Sequence, residues 1–248
     1  MFLKVEEIHT YYGTSHILFG VSLEVSQGEA VALLGRNGAG KTTTLRSIMG
    51  LTPPRQGRIF FRDKDISRAP VHEISRMGMG YVPENRMIFP DLTVMENLMI
   101  GVNTRRSGLF TIESAFEIFP RLANMKNRAG GLMSGGEQQM LAIARSLMIN
   151  PNILLLDEPL EGLSPIVVQE VGHCIMRLKG ERALSILLSE QNVGFALLLC
   201  ERVYIIDKGV IKFHGKTEEL RDNEEILQRY LTVHGGGRRR KRKPSPGA

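Results

Sequence analysis

Gly35-Arg36-Asn37-Gly38-Ala39-Gly40-Lys41-Thr42 fits the spacing G-x-x-x-x-G-K-[ST]. Glycines let successive backbone N–H groups turn inward around a phosphate, and a helix starting there adds partial positive charge. The spacing assigns Lys41 to the β- and γ-phosphates of a nucleoside triphosphate, the Thr42 hydroxyl to Mg²⁺ and Thr43 to the α-phosphate. A second cluster, Ile153-Leu154-Leu155-Leu156-Asp157-Glu158, places two carboxylates after four apolar residues. Ligands of open parallel sheets bind beyond the carboxyl ends of the strands, so the two clusters should converge. Asp157 is then expected in the Mg²⁺ shell, with Glu158 orienting and polarising the attacking water. A third stretch is Met133-Ser134-Gly135-Gly136-Glu137-Gln138-Gln139, whose Gly136 lies 21 residues before Asp157. Gly135 and Gly136 expose backbone N–H groups at a helix start and Ser134 adds a hydroxyl, which makes a second anion site. If the two phosphate-binding helix ends cannot reach one nucleotide, two copies must face head to tail, each closing the other's site.

The elements that must carry these residues follow from apolar pattern. Residues 30–34, 153–156, 185–188 and 203–206 are continuous apolar runs, as in parallel strands buried on both faces. Helical patterns lie between them, so the class is α/β. Residues 42–49 read as the helix after the glycine loop. Ser164-Pro165 reads as an N-cap with proline at the first helical position, Val167, Val171, Cys174 and Leu178 share one face, and Gly180 is expected to close that helix. Met140, Leu141, Ala144, Leu147 and Met148 form the apolar face of the helix that Ser134 opens. Residues 3–8, 17–25, 58–61 and 210–214 look like antiparallel strands, and residues of about 90–150 like an inserted helical lobe.

Composition bounds the class. The chain has 248 residues, 42% hydrophobic and 23% charged, ordinary for a protein with one large core. Its longest nearly unbroken apolar stretch, residues 193–200, is far short of the roughly twenty a membrane helix needs. Phe2-Leu3-Lys4-Val5-Glu6-Glu7 meets charge at once, so no secretion signal is expected. Cys174 and Cys200 are read as two buried thiols in a reducing compartment. The net charge is +6, but Arg238, Arg239, Arg240, Lys241, Arg242 and Lys243 are six cations in one run. Setting them aside leaves 26 cations against 26 acids, so the body is formally neutral. Residues 235–248 are expected to be a disordered basic tail. It would attract anionic lipid heads or nucleic acid weakly, or do nothing; the sequence leaves these open.

The three motifs, in this order, resemble the ATP-binding subunits of ABC transporters, and the resemblance covers residues 1–234. It implies a P-loop NTPase (RecA-like) parallel-sheet core with an antiparallel β subdomain and an inserted helical subdomain. It also implies ATP as substrate with Mg²⁺, Ser134, Gly135, Gly136 and Glu137 as nucleotide contacts from a second molecule, and an aromatic stacked on adenine. Tyr12, 23 residues before Gly35, matches that aromatic, with neighbouring Tyr11 as competitor. Two positions depart from most relatives. Glu84, after Gly80-Tyr81-Val82-Pro83, stands where they have a glutamine touching Mg²⁺ and water. Gln191, after Leu187-Leu188-Ser189-Glu190, stands where they have a histidine against the γ-phosphate. With Pro83-Glu84-Asn85-Arg86 and Glu190-Gln191-Asn192, the chain is similar to the smaller ATPase of branched-chain amino acid importers, a subfamily carrying both replacements. Gln191 keeps an amide donor for a phosphate oxygen, and Glu84 can still ligate Mg²⁺ or accept from water. Ser164 stands where many relatives have aspartate, in a turn reaching the partner subunit, and is equally explained as a helix cap.

The resemblance thus implies a peripheral motor subunit on the cytoplasmic face of the inner membrane. Its partners would be a second, related ATPase, transmembrane permease subunits contacted near residues 84–97, and indirectly an extracytoplasmic solute-binding protein. Branched-chain amino acids lead as solute; urea, short amides or aromatic acids come next. A soluble ATPase acting on nucleic acid is the alternative from another class, but such proteins usually hold two ATPase units or a long coiled-coil insertion, so no nucleic acid partner is expected.

Overall fold

The computed structural model describes residues 2–102, 108, 110–182 and 184–231. Strands β1 (Leu3–Tyr12) and β2 (Ser15–Val25) form a hairpin, and β3 (Ala30–Leu34) runs through the glycine loop into α1 (Lys41–Ile48). Next come β4 (Gln56–Phe61), the short β5 (Lys64–Asp65), α2 (Val71–Arg76) and β6 (Met79–Val82). Four helices follow: α3 (Val94–Gly101), α4 (Ile112–Ile118), α5 (Pro120–Ala123) and α6 (Gly135–Leu147). The chain returns through β7 (Ile153–Asp157), α7 (Pro165–Arg182), β8 (Ser185–Glu190), α8 (Val193–Leu199), β9 (Arg202–Asp207) and β10 (Val210–Lys216). The last described elements are α9 (Thr217–Arg221), α10 (Glu224–Ile226) and a π-helical turn at Leu227–Leu231.

Two sheets organise these elements. The larger has the order β10-β9-β3-β8-β7-β6, with β9, β3, β8, β7 and β6 parallel. The smaller, β2-β1-β4-β5, is antiparallel. The apolar runs are continuous because each central strand separates two cores. Ala30, Ala32 and Leu34 pack with Leu154, Leu156, Ile186 and Leu188 against the helices α3 to α8. Val31 and Leu33 pack with Ile153, Leu155 and Leu187 against α1 and the antiparallel sheet. Alternate residues therefore face different layers, and none faces water.

Residues 210–214 are antiparallel as expected, with β10 paired to β9 at the edge of the large sheet. Gly180 does not close its helix, which continues to Arg182. A Cβ at Gly180 would meet nothing within 4 Å, so no close approach forces a break there. Within the stretch read as a helical lobe, the described α-helices are α3, α4, α5 and α6, and α6 also packs on the large sheet. Its Leu141, Ile143, Ala144 and Leu147 are fully buried in the same core as Leu154 and Leu156. Burial of each large side chain contributes about 1.5–3 kcal/mol, so α6 is anchored to the sheet at its C-terminal half.

Cys200 is buried and Cys174 half-buried, both as free thiols, and burial pushes both thiols up, Cys174 to about 11. The basic tail at 235–248 lies outside the described residues. Among the described residues no helix is long and apolar enough to cross a membrane.

Candidate functional site

Strand order does the positioning. With β3, β8 and β7 adjacent, Leu34 stands opposite Glu190, and Ser189 opposite Asp157. The three strand ends thus deliver Gly35, Gln191 and Glu158 to one rim. The loop after β3 turns into α1 at Gly40, whose φ of +116° excludes other residues; a Cβ there would also approach Leu18 Cδ2 to 2.9 Å. Lys41 is 3% exposed and folds back into its own loop. Its Nζ donates to the Gly35 carbonyl (2.7 Å) and the Arg36 carbonyl (3.0 Å), and lies 3.0 Å from Glu158 Oε1. Thr42 Oγ1 donates to Asp157 Oδ1 at 3.0 Å, while Thr43 is buried behind it.

Asp157 is fully buried and its carboxylate accepts three hydroxyls: Thr42 and Ser189 (2.6 Å) on Oδ1, and Tyr81 (3.0 Å) on Oδ2. Glu158 follows in the left-handed region, φ 45°, uncommon for a residue with a side chain and a local strain. Its amide is held by the Ser189 carbonyl at 3.0 Å and hydroxyl at 3.2 Å, which over-determines the turn. Gln191 Nε2 donates to Glu158 Oε2 (2.7 Å) and to Asn37 Oδ1 (2.6 Å), joining the acid to the glycine loop. Burial works to raise the Glu158 carboxyl, but hydrogen bonds from Gln191, Glu161 and Lys41, with the Lys41 charge, hold it below the ordinary range.

Glu161 shifts the opposite way. Its hydrogen bond to Glu158, then burial and the charges of Glu158 and Glu84, push its carboxyl up to about 7. Folded Glu161 binds its proton more tightly than the ordinary 4.5 allows, so this contribution is fully present below about pH 4.5 and lost as pH rises through about 7. Glu161→Gln keeps a neutral donor at every pH. The unfolding temperature of the wild type should therefore fall relative to that of the variant between about pH 5 and pH 8. Parallel curves would show that no proton is held there.

The second anion end lies on the helical lobe. Ser134 caps α6 in a reciprocal box: Glu137 N–H donates to Ser134 Oγ (3.4 Å) and Ser134 N–H to Glu137 Oε2 (2.8 Å). The Glu137 carboxylate holds that cap and lies 3.4 Å from Arg121 Nε. Gly136 packs on α7, where a Cβ would overlap Val167 Cγ1. Gly135 faces the Arg86 guanidinium, whose Nε donates to Gln139 Oε1 at 3.3 Å. Among the described residues, the side-chain and backbone bonds of Ser134 stay within its own helix cap.

Glu84 is exposed, and its charge reaches the site through Glu161. Tyr11 and Tyr12 differ in surroundings. Tyr11 is stacked on His16 (centroids 4.1 Å, 10°) and covered by Arg55 at 4.5 Å, whereas Tyr12 is 43% exposed. Tyr81, Ser189 and Glu161 were not legible as site residues. Only their level with Asp157 at neighbouring strand ends and in its turn could have pointed to them. For Mg²⁺ the donor set fits: a threonine hydroxyl beside a buried carboxylate suits a hard cation that keeps waters and arrives with phosphates. No cluster of three or more His, Cys, Asp or Glu is placed for a metal among the described residues, so this is no all-protein cage.

Comparison with known proteins identifies the family. The ABC transporter family model matches residues 18–161. The high-affinity branched-chain amino acid transport ATP-binding protein BraG of Pseudomonas aeruginosa is 40% identical, over 92% of this chain and 99% of BraG. The lipopolysaccharide export system ATP-binding protein LptB of Haemophilus influenzae is 37% identical, over 92% of this chain and 96% of LptB. A solved ATP-binding cassette of an ABC transporter, in its ADP conformation, superposes with a TM-score of 0.76 at 28% identity, covering 90% of this chain and 96% of that one. The chain belongs to the ABC transporter family, as an ATP-hydrolysing subunit that works with membrane-spanning permease components.

Proposed function

We propose that this chain drives an importer of branched-chain amino acids, with ATP clamped between two ATPase subunits arranged head to tail. The observation that carries the clamp is that the two anion ends stand on different elements: Lys41, Asp157, Glu158 and Gln191 meet on one rim of the large sheet, while Ser134 caps α6. In this reading residues 1–234 form one ATP-binding domain with a helical lobe inserted at about 90–150. Residues 35–43 cradle the phosphates and Tyr12 stacks on adenine. Thr42, Asp157 and Glu84 would hold Mg²⁺, which neutralises phosphate charge when bound. Glu158 accepts the proton of the attacking water and Gln191 senses the γ-phosphate as a neutral donor. Ser134, Gly135 and Gly136 serve the nucleotide of the partner, a related ATPase in a heterodimer.

A groove of about 400 Å³ between the lobes, lined by Tyr81, Arg86, Met87, Phe89, Ile100 and Arg145, suits an apolar permease segment. Met87 and Ile100 are 64% and 56% exposed there. The subunit would sit on the cytoplasmic face of the inner membrane, with the solute delivered by an extracytoplasmic binding protein.

The amino acid assignment is supported by the 40% identity to BraG together with Glu84 and Gln191. The 37% identity to LptB favours a second reading, lipopolysaccharide export. One experiment separates them: purify the chain with its co-purifying membrane subunits and measure ATP turnover with candidate solutes and the cognate binding protein. Leucine, isoleucine or valine should stimulate turnover. Stimulation by urea or a short amide would redirect the import reading, and stimulation by lipopolysaccharide without a solute-binding protein would replace it.

A further inference from the structure

The turn that carries Tyr12 is built like a braced bracket. Tyr12 pairs with Ser15 at the last register position of the β1–β2 hairpin, with only Gly13 and Thr14 between them. A ring at such a tip must be ordered before a base can stack on it, and that ordering weakens binding unless it is done in advance. Arg55 does it. It arrives on the loop that follows α1, the helix that begins at Lys41, and its backbone N–H donates to the His9 carbonyl at 2.8 Å. Its guanidinium lies 4.5 Å above the Tyr11 ring, and its Nη2 donates to the Gly13 carbonyl at 2.5 Å. Beneath Tyr11 the stack continues through His16 to Phe19 (centroids 3.9 Å), and His16 is hydrogen-bonded to His9 at 3.1 Å. Every ring in this column belongs to the hairpin; Arg55 alone comes from outside it.

We infer that Arg55 is a positioning residue for the nucleotide base: by stacking on Tyr11 and holding the Gly13 carbonyl, it fixes the hairpin so that Tyr12 presents its ring to adenine. This rests on the reading of Tyr12 as the adenine platform. Because Arg55 braces only the base end, its removal should spare the phosphate loop. The column also explains why Tyr11, though adjacent, is unavailable: both of its faces are occupied, by a cation and an imidazole.

The test compares two ligands that share phosphates and differ in the base, MgATP and magnesium tripolyphosphate, on the full-length chain. Tyr12→Ala should raise the Kd for MgATP about ten-fold. Arg55→Ala should raise it about three- to ten-fold, and the double variant no more than Tyr12→Ala alone, since both remove the same contact. Tripolyphosphate affinity should change by less than about two-fold in all three. Arg55 is exposed, so its substitution leaves the core intact. If Tyr12→Ala weakens MgATP and Arg55→Ala does not, the proposal is overturned and the adenine platform stands. Equal weakening of MgATP and tripolyphosphate by Arg55→Ala would make the arginine a general support of the fold, which also overturns it. No effect of Tyr12→Ala would remove the platform itself.

Discussion

Glu158→Gln should lower ATP turnover by the assembled transporter at least about 100-fold while MgATP still binds. The amide cannot take a proton from water, so the chemical step loses its base. Its shape is retained, so the left-handed turn held by Ser189 and the donor bond from Gln191 have little reason to move. Binding should tighten. In the wild type the Glu158 carboxylate lies 3.0 Å from Lys41 Nζ, where the β- and γ-phosphates are proposed to go, and must yield that ammonium when they arrive. A neutral amide competes less for a buried cation. Single-turnover hydrolysis and equilibrium binding on the same preparation separate the two effects. A variant that loses binding and turnover together would mean that Glu158 holds the loop in shape rather than serving the water.

Gly136→Ala should also lower turnover, for a reason unrelated to nucleotide binding within the chain. The new methyl would overlap Val167 Cγ1, and overpacking of this kind costs about 1–3 kcal/mol. The strain falls where α6 meets α7 and shifts the Ser134 end of α6. Turnover of the assembled complex should fall about ten-fold or more, while MgATP binding to the chain purified alone is unchanged, because the phosphate loop belongs to the other lobe. Val167→Ala removes the obstructing methyls and should restore turnover in the double variant. Failure of that rescue, or loss of binding by the isolated chain, would contradict the division of labour between the two anion ends.

What could be read from the sequence follows a physical line. The glycine loop and the Asp157–Glu158 pair were legible because backbone geometry and strand ends leave few alternatives: four apolar residues bring the acids to the rim, and three glycines shape the loop. The central strands were legible because burial on both faces removes alternation. Less visible was anything set by packing between distant segments. The level of Ser189 and Tyr81 with Asp157 depends on the order β8-β7-β6, which local pattern does not encode. The partner of β10 depends on which edge lies within reach after the Lys208-Gly209 turn, and that edge is β9. Gly180 misled because glycine was read as a helix stop, whereas the helix continues through it. Tyr11 and Tyr12 are equivalent by spacing, and only the Arg55 and His16 stack tells them apart.

The most direct test is the structure of the assembled transporter carrying Glu158→Gln and trapped with MgATP. We predict a γ-phosphate that touches Lys41 of one ATPase subunit and, on its opposite side, the serine hydroxyl and glycine amides of a second subunit at hydrogen-bond distance. A triphosphate enclosed wholly by one subunit, with Ser134, Gly135 and Gly136 turned to solvent, would contradict it.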